Sequence, residues 1–398
     1  MIKNILAAVM VTVGVIFSTH YILSATDVPE IKNVVNDDFV VPAPLDSIVC
    51  DFDNYIQNSV DALKTPGAAV AIVYKGRIIL LKGYGVKRLT VRDNVDVHTA
   101  FRLGSVSKGF ASVLTGMIVD EGKLDWNDPI NKYLFDLHLN DSAKTSAITI
   151  KNILSHTSGF AEHTYSDLLD RDYSFDTIKS LLPKVHTQTK PGNVYAYQNV
   201  IYSLIGDVLN DVTDTSYNLL LKDKILSPLN MKDASSDYYS FLNNPNTAWP
   251  HIHYGKSWKM KNKNDRYYTV APAAGINASA SDMAQWLLGL TGYYPDVIPQ
   301  DIISAVSDHV VQIPMKKSYR YSWKYLDDMY YGLGWRVFRI DGHDIVYHGG
   351  YVEGFRSEIA FDPVSKLGIA TLFNSNTSMA STCIPRFVNT AFSTGFLK

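Results

Sequence analysis

The sequence carries almost no net charge: 37 lysines and arginines stand against 39 aspartates and glutamates in 398 residues, a formal charge of −2. A nucleic-acid binder needs a basic excess to displace phosphate counterions, and a polybasic membrane-surface protein needs clustered cations. Neither fits this chain. Cysteine is scarce as well. Cys50 and Cys383 are the whole supply, and they lack the CxxC spacing of a redox or zinc site. A disulfide demands specific geometry, so the two read as separate thiols, one of them in a C-terminal amphipathic segment, with a Cys50–Cys383 bridge in an oxidising compartment as the alternative. There is no HExxH, no Gly-x-Ser-x-Gly elbow, and no internal repeat. The run Gly104–Gly109 has the spacing of a phosphate loop, but Phe110 stands where lysine is required. No uninterrupted apolar run reaches the roughly 20 residues of a bilayer span. The longest, Ile5–Phe17, is broken by Thr12 and Gly14 and follows Lys3. Residues 1–25 therefore read as an export signal, with an uncleaved N-terminal membrane anchor as the alternative, which places the protein in the periplasm or outside the cell.

What the chain does have is core-forming material. Hydrophobic residues make up 46% and charged residues 19%, enough to bury one large unit and to exclude disorder over most of the length. Residues 26–45, rich in proline and mixed in polarity, read as a linker, and 46–398 as the folded domain. Apolar positions Phe52, Ile56, Val60 and Leu63 predict an amphipathic helix from Ile48. Two strands, Ala69–Tyr74 and Arg77–Leu81, flank Lys75-Gly76 as a two-residue hairpin. Strand-like runs return at 334–340, 345–348, 355–361 and 367–373, separated by Asp341-Gly342, Gly349-Gly350 and Asp362-Pro363. The middle is helical in pattern. The fold class is therefore α/β (α+β): an antiparallel β-sheet assembled from both ends and flanked by N- and C-terminal helices, with a helical lobe at roughly 105–260 inserted.

The most informative stretch is Phe101-Arg-Leu-Gly-Ser-Val-Ser-Lys-Gly-Phe110, with a helical apolar pattern after it. Its Ser105 and Lys108 lie one helical turn apart, so the amine can reach the hydroxyl. A helix start there would add unpaired N–H groups for an oxyanion. Lysine acts as a base only if burial or nearby positive charge lowers its pKa toward neutrality. Tyr197-Gln198-Asn199 on a turn can aim a phenol and an amide into one cleft, and His348-Gly349-Gly350 at a strand end lets a substrate backbone approach. Each motif alone is weak, and Ser-x-x-Lys by itself matches any serine-led helix start.

Together and in this order they resemble the serine β-lactamase and penicillin-binding-protein superfamily, in its class C β-lactamase and DD-peptidase branch. Gly122-Lys-Leu-Asp-Trp-Asn-Asp-Pro129, Ile148-Thr-Ile-Lys-Asn-Ile-Leu-Ser-His-Thr-Ser-Gly159, Ala273-Ala-Gly-Ile-Asn-Ala-Ser-Ala-Ser-Asp282 and Tyr331-Gly-Leu-Gly-Trp335 extend the likeness over about residues 48 to 395. The resemblance implies a cofactor-free serine acyl hydrolase with the β-lactamase/transpeptidase-like fold, monomeric, acting on a β-lactam, a D-alanyl peptide or an ester. It makes Ser105 the acylated nucleophile, Lys108 its activator, and Tyr197 a base or proton relay, with the first proton acceptor left open. It makes Asn199, His348, Gly349, Gly350 and Tyr351 substrate-binding, the backbone N–H groups of Ser105 and Tyr351 forming the oxyanion hole. Class C β-lactamases usually have Lys-Thr-Gly where this chain has His348-Gly349-Gly350, whereas histidine at that position occurs in DD-peptidase-like and esterase-like members. Efficient β-lactam turnover is the activity this departure puts in question, and an esterase, a D-amino-acid amidase or a non-catalytic cell-wall sensor is the alternative. Elsewhere, His251 and His253 read as a polar strand edge, since no third metal ligand accompanies them. His156 reads as a structural hydrogen-bonding residue near the cleft, and Asp282 as a helix-start cap after Ser279. Of 25 tyrosines, Tyr195, Tyr197, Tyr347 and Tyr351 flank the expected cleft.

Overall fold

The computed structural model describes residues 39–397 other than Thr90, Asp136, 138–145 and Lys256. The export signal and most of the linker lie outside the described residues. Helix α1 (Ala43–Asp61) starts earlier than its apolar pattern suggests, because Pro44 falls in the first turn, where a missing N–H costs nothing. Strands β1 (Gly67–Tyr74) and β2 (Arg77–Gly85) form the expected hairpin. Lys75 and Gly76 both take positive φ, as a tight two-residue turn requires.

From the other end come β7 (Val311–Gln312), β8 (Leu326–Tyr331), β9 (Arg336–Ile340), β10 (His343–Val352), β11 (Phe355–Asp362) and β12 (Leu367–Phe373). All eight join one antiparallel sheet in the order β2-β1-β12-β11-β10-β9-β8-β7, so the N-terminal hairpin docks on the last strand. Strand β1 is buried along its whole length, which requires cover on both faces. Gly368 faces Leu287 of helix α5 (Ala280–Leu290), and Thr371, three residues on and so on the other face, meets Cys383 of helix α7 (Ala380–Ser393). Helices α1 and α7 pack together through an edge-on Phe52–Phe387 pair. Cys50 is exposed on α1 and Cys383 buried on α7, and both are free thiols.

Between the two strand groups come α2 (Ser107–Asp120), α3 (Ile150–Leu154) and α4 (Val200–Thr213), then the hairpin of β4 (His251–Tyr254) and β5 (Ser257–Met260). A short β3 (Phe101–Arg102) pairs with β6 (Asn277–Ala278), and helix α6 (Lys317–Ser322) lies between β7 and β8. Helix α2 is buried from Ser107 to Ile118, with Phe110 stacked 4.0 Å from Trp286 of α5. It is the central strut of the molecule, and it carries the serine–lysine motif at its start.

One expectation from the sequence needs correction. Gly349-Gly350 is not a separator between strands: β10 runs through both glycines to Val352, and the turn comes later, at Glu353 and Gly354 with φ of 46° and 91°. Glycine pairs often mark turns, but here their missing side chains serve close packing inside a strand. A Cβ on Gly350 would lie 2.0 Å from the Leu103 carbonyl. Residues 251–253 are a strand as expected. His251 is buried, its Nε2 accepting from the Leu89 N–H and its Nδ1 bonded to the Asn374 carbonyl, whereas His253 is exposed. No group of three potential metal ligands occurs among the described residues, and no described helix is long and apolar enough to cross a membrane.

Candidate active site

Ser105 sits in a single 3-10 turn, Gly104–Val106, that leads into α2. Neither turn nor helix has a side-chain cap, so the serine hydroxyl is not spent on the backbone. Gly104 takes φ of 52°, and a Cβ there would lie 2.9 Å from the Tyr351 backbone. With Gly350 against Leu103, two glycines press the turn onto β10. The hairpin turn at Glu353-Gly354 makes Val352 and Phe355 a hydrogen-bonded pair, so Tyr351 falls in a non-bonded pair with β11. Its N–H therefore points the other way, toward an edge that β9 leaves uncovered, since β9 pairs with β10 only as far as Tyr347. The Ser105 and Tyr351 amides thus come together beside the nucleophile as candidate oxyanion donors.

Lys108 is wholly buried. Its Nζ contacts Asn199 Oδ1 at 2.8 Å, the Ala273 carbonyl at 3.1 Å and Ser105 Oγ at 3.3 Å. Burial first, and the nearby Arg336 cation second, push its pKa well below the ordinary lysine value. A neutral amine has two N–H bonds and one lone pair. The two shorter contacts are to oxygens that can only accept, so they take the hydrogens and leave the lone pair for the Ser105 proton. Tyr197 donates to Ser105 Oγ at 2.8 Å, and burial pushes its pKa up to about 12. It is a neutral phenol near pH 7. A neutral Lys108 in this arrangement could take the Ser105 proton, with Tyr197 placed as a donor to the same oxygen.

These groups open on a cavity of about 920 Å³ lined by Ser105, Tyr195, Tyr197, Asn199, Arg336, Tyr347, Gly349, Gly350 and Tyr351, with the segment from Ile313 to Trp323 forming one side. Asn199 gives its carbonyl oxygen to Lys108, leaving its NH2 for a substrate. His348 does not line the cavity. It is fully buried behind the wall, and burial first, then the Arg336 cation, push its pKa well below 6.5. A neutral buried imidazole cannot be the cation that attracts an anionic substrate. Arg336 can: it lines the cavity, keeps its charge at any working pH and forms no ion pair with a described carboxylate. Sequence reasoning missed it. Arg336 and Arg339 occur in one strand as ordinary cations, but Arg339 lies opposite Asp344 and bonds it, whereas Arg336 lies opposite Tyr347. Only the register distinguishes them. Elsewhere, His156 is buried against Tyr197 and Tyr331, and Ser279 with Asp282 forms a capping box on α5.

The Beta-lactamase family profile matches residues 52–387. The chain belongs to the β-lactamase family. It is similar to "Unguisins hydrolase ungD'" of Aspergillus campestris (strain IBT 28561), 28% identical over 85% of this chain and 63% of that protein. "Protein flp" of Staphylococcus aureus (strain MW2) is 24% identical over 84% of this chain and 64% of that protein. The chain thus spans a little under two thirds of the length of these curated relatives. Among solved structures, the octameric penicillin-binding protein homologue from Pyrococcus abyssi superposes with a TM-score of 0.75 at 21% identity, covering 87% of this chain and 77% of that one. A class C β-lactamase mutant gives 0.70 at 20% identity, covering 86% and 97%. The mixed α/β architecture of this β-lactamase family member is therefore the fold shared by penicillin-binding proteins and class C enzymes.

Proposed function

We propose that the protein is an exported serine acyl hydrolase that forms an acyl-enzyme on Ser105 and prefers acyl donors with a carboxylate close to the scissile bond. That class contains both β-lactams and D-alanyl peptides. Arg336 carries the reading: a cation that faces the cavity and makes no ion pair with a described carboxylate, while Glu358, which lines the same cavity and feels its charge, is bonded to Arg356 and Tyr347 instead. It supplies from β9 the charge that a lysine at position 348 would otherwise provide. In the first step Ser105 Oγ bonds to the acyl carbon as its proton passes to Lys108 Nζ, and the Ser105 and Tyr351 amides receive the oxyanion. The C–O or C–N bond then breaks and the leaving group takes a proton by way of Tyr197. Water reverses the sequence, giving a proton back through the same groups and releasing the acid and free Ser105. The relative named as an unguisins hydrolase is consistent with hydrolytic chemistry in this family. Export rests on the pattern of residues 1–25 alone, and the octameric homologue leaves the expected monomer open.

The test uses a chromogenic cephalosporin and a pair of D-alanyl thioester peptides identical except that one ends in a carboxylate and the other in a carboxamide, with the Ser105 peptide followed by mass. An adduct on Ser105 and faster turnover of the carboxylate peptide are expected. Arg336→Met should cost about 10- to 100-fold in kcat/KM on the carboxylate peptide, the value of a charge-assisted hydrogen bond. Equal rates on both peptides in the parent protein would overturn the carboxylate preference and favour an esterase or amidase. A permanent adduct without turnover would indicate a sensor.

A further inference from the structure

Three buried side chains behind the cavity have no part in the acyl-transfer scheme: His156, Tyr331 and His348. They are linked. The Gln198 N–H donates to His156 Nδ1 at 3.2 Å, and His156 Nε2 lies 3.1 Å from Tyr331 Oη. Tyr331 Oη lies 3.1 Å from His348 Nε2, which also faces Arg336 Nη1 at 3.3 Å. His348 Nδ1 is 2.9 Å from the Gly349 carbonyl, an oxygen on the edge of β10 that β9 does not cover.

The two ends of this series leave no freedom in the middle. A backbone N–H can only donate, so His156 Nδ1 is bare and its proton is on Nε2. A carbonyl can only accept and a guanidinium can only donate, so His348 carries its proton on Nδ1 and presents the Nε2 lone pair. Tyr331 then accepts from His156 and donates to His348, sharing the one Nε2 lone pair with Arg336 in a three-centre contact at 3.1 and 3.3 Å. We propose that His156, Tyr331 and His348 form a one-directional hydrogen-bond chain of opposite fixed tautomers whose terminal lone pair holds the Arg336 guanidinium at the cavity, making all three positioning residues for anion recognition. The proposal rests on the assignment of Arg336 to the substrate carboxylate. It also gives the histidine at position 348 a purpose: a lysine there offers no lone pair and would set a second cation against Arg336, whereas a neutral imidazole accepts from it.

Two measurements on the full chain decide the matter. Long-range ¹H–¹⁵N correlation at pH 7, assigned with His156→Gln and His348→Gln, should show one imidazole protonated on Nε2 and the other on Nδ1, both neutral. Matching tautomers, or a cationic ring at either position, would overturn the chain, and this readout on the parent protein stands even where a variant fails to fold. In kinetics, Tyr331→Phe removes the linking O–H and should raise KM for the carboxylate peptide about two- to tenfold, the value of one neutral hydrogen bond, with a smaller change in kcat. His348→Gln, which restores an acceptor, should retain more of the carboxylate preference than His348→Leu. If Arg336→Met leaves that preference intact, the carboxylate reading itself fails. If Arg336→Met abolishes it while Tyr331→Phe and His348→Leu do not, the chain alone is wrong.

Discussion

Two helices in this molecule begin with a serine followed three residues later by a charged side chain, and they use the pattern in opposite ways. At α5, Ser279 accepts from the Asp282 N–H at 3.1 Å and Asp282 accepts from the Ser279 N–H at 2.9 Å, a reciprocal cap that satisfies two otherwise unpaired donors. At the start of α2, Ser105 makes no such bond, and its hydroxyl meets Lys108 and Tyr197 instead. A capping serine adds about 1 kcal/mol to a helix, so leaving Ser105 uncapped forgoes roughly that much stability and keeps a reactive oxygen available. The acidic partner of one pair and the basic partner of the other set the difference. A carboxylate three residues on can return a hydrogen bond to the backbone, whereas a buried amine can take a proton from the serine.

The two serines should part most widely on substitution. Ser105→Ala should abolish the covalent adduct in a mass assay while leaving the thermal midpoint unchanged or slightly higher. A drop of several degrees would mean that Ser105 is structural after all. Lys108→Met keeps the volume and removes the base. Its kcat/KM should fall about 10²- to 10⁴-fold, the range of general-base catalysis, with the fold intact by circular dichroism. Retained activity in this variant would hand the first proton transfer to Tyr197.

The pH profile follows from the direction of the Lys108 shift. Lys108 works only when neutral, so activity falls as pH drops through its depressed pKa, on an acid limb well below pH 10. Tyr197, raised to about 12, adds no alkaline limb near neutrality. Arg336→Met removes one of the charges that depress Lys108 and should move the acid limb to higher pH. A limb that stays in place would mean burial alone sets the value. The same shift links to stability: unfolded lysine binds a proton that folded Lys108 does not, so this group favours unfolding more as pH falls below the unfolded value. The smallest effect belongs to the other helix. Ser279→Ala should cost about 0.5–2 kcal/mol in denaturant unfolding and leave kcat within a factor of about two. A larger loss of activity would show that α5 holds the site through the Phe110–Trp286 stack.

Much of the fold and of the site is legible in the sequence. The hairpin at Lys75-Gly76 is written in a two-residue turn between apolar runs, and the candidate nucleophile Ser105 and Lys108 lie three apart at one helix start, so local chain geometry alone brings them together. Tyr197 and Asn199 are identifiable from a turn that precedes a helix. The glycine pair of β10 misleads, because a turn and a close backbone contact leave the same mark in a sequence. His348 misleads for a related reason: its motif position says which strand it occupies, not whether its ring faces the cavity or the interior.

The sequence by itself determined the elements, the order of the motifs, and which residues could act as nucleophile and base, since these depend on period, spacing and side-chain chemistry. Only the tertiary structure decided the direction of the pKa shifts and which arginine faces the cavity. Lys108 lowers its pKa because the start of α2 is buried on every side, and Arg336 differs from Arg339 because its strand partner is Tyr347 rather than Asp344. Burial and cross-strand partners belong to residues far apart in the chain, and the energies that set protonation depend on those distances.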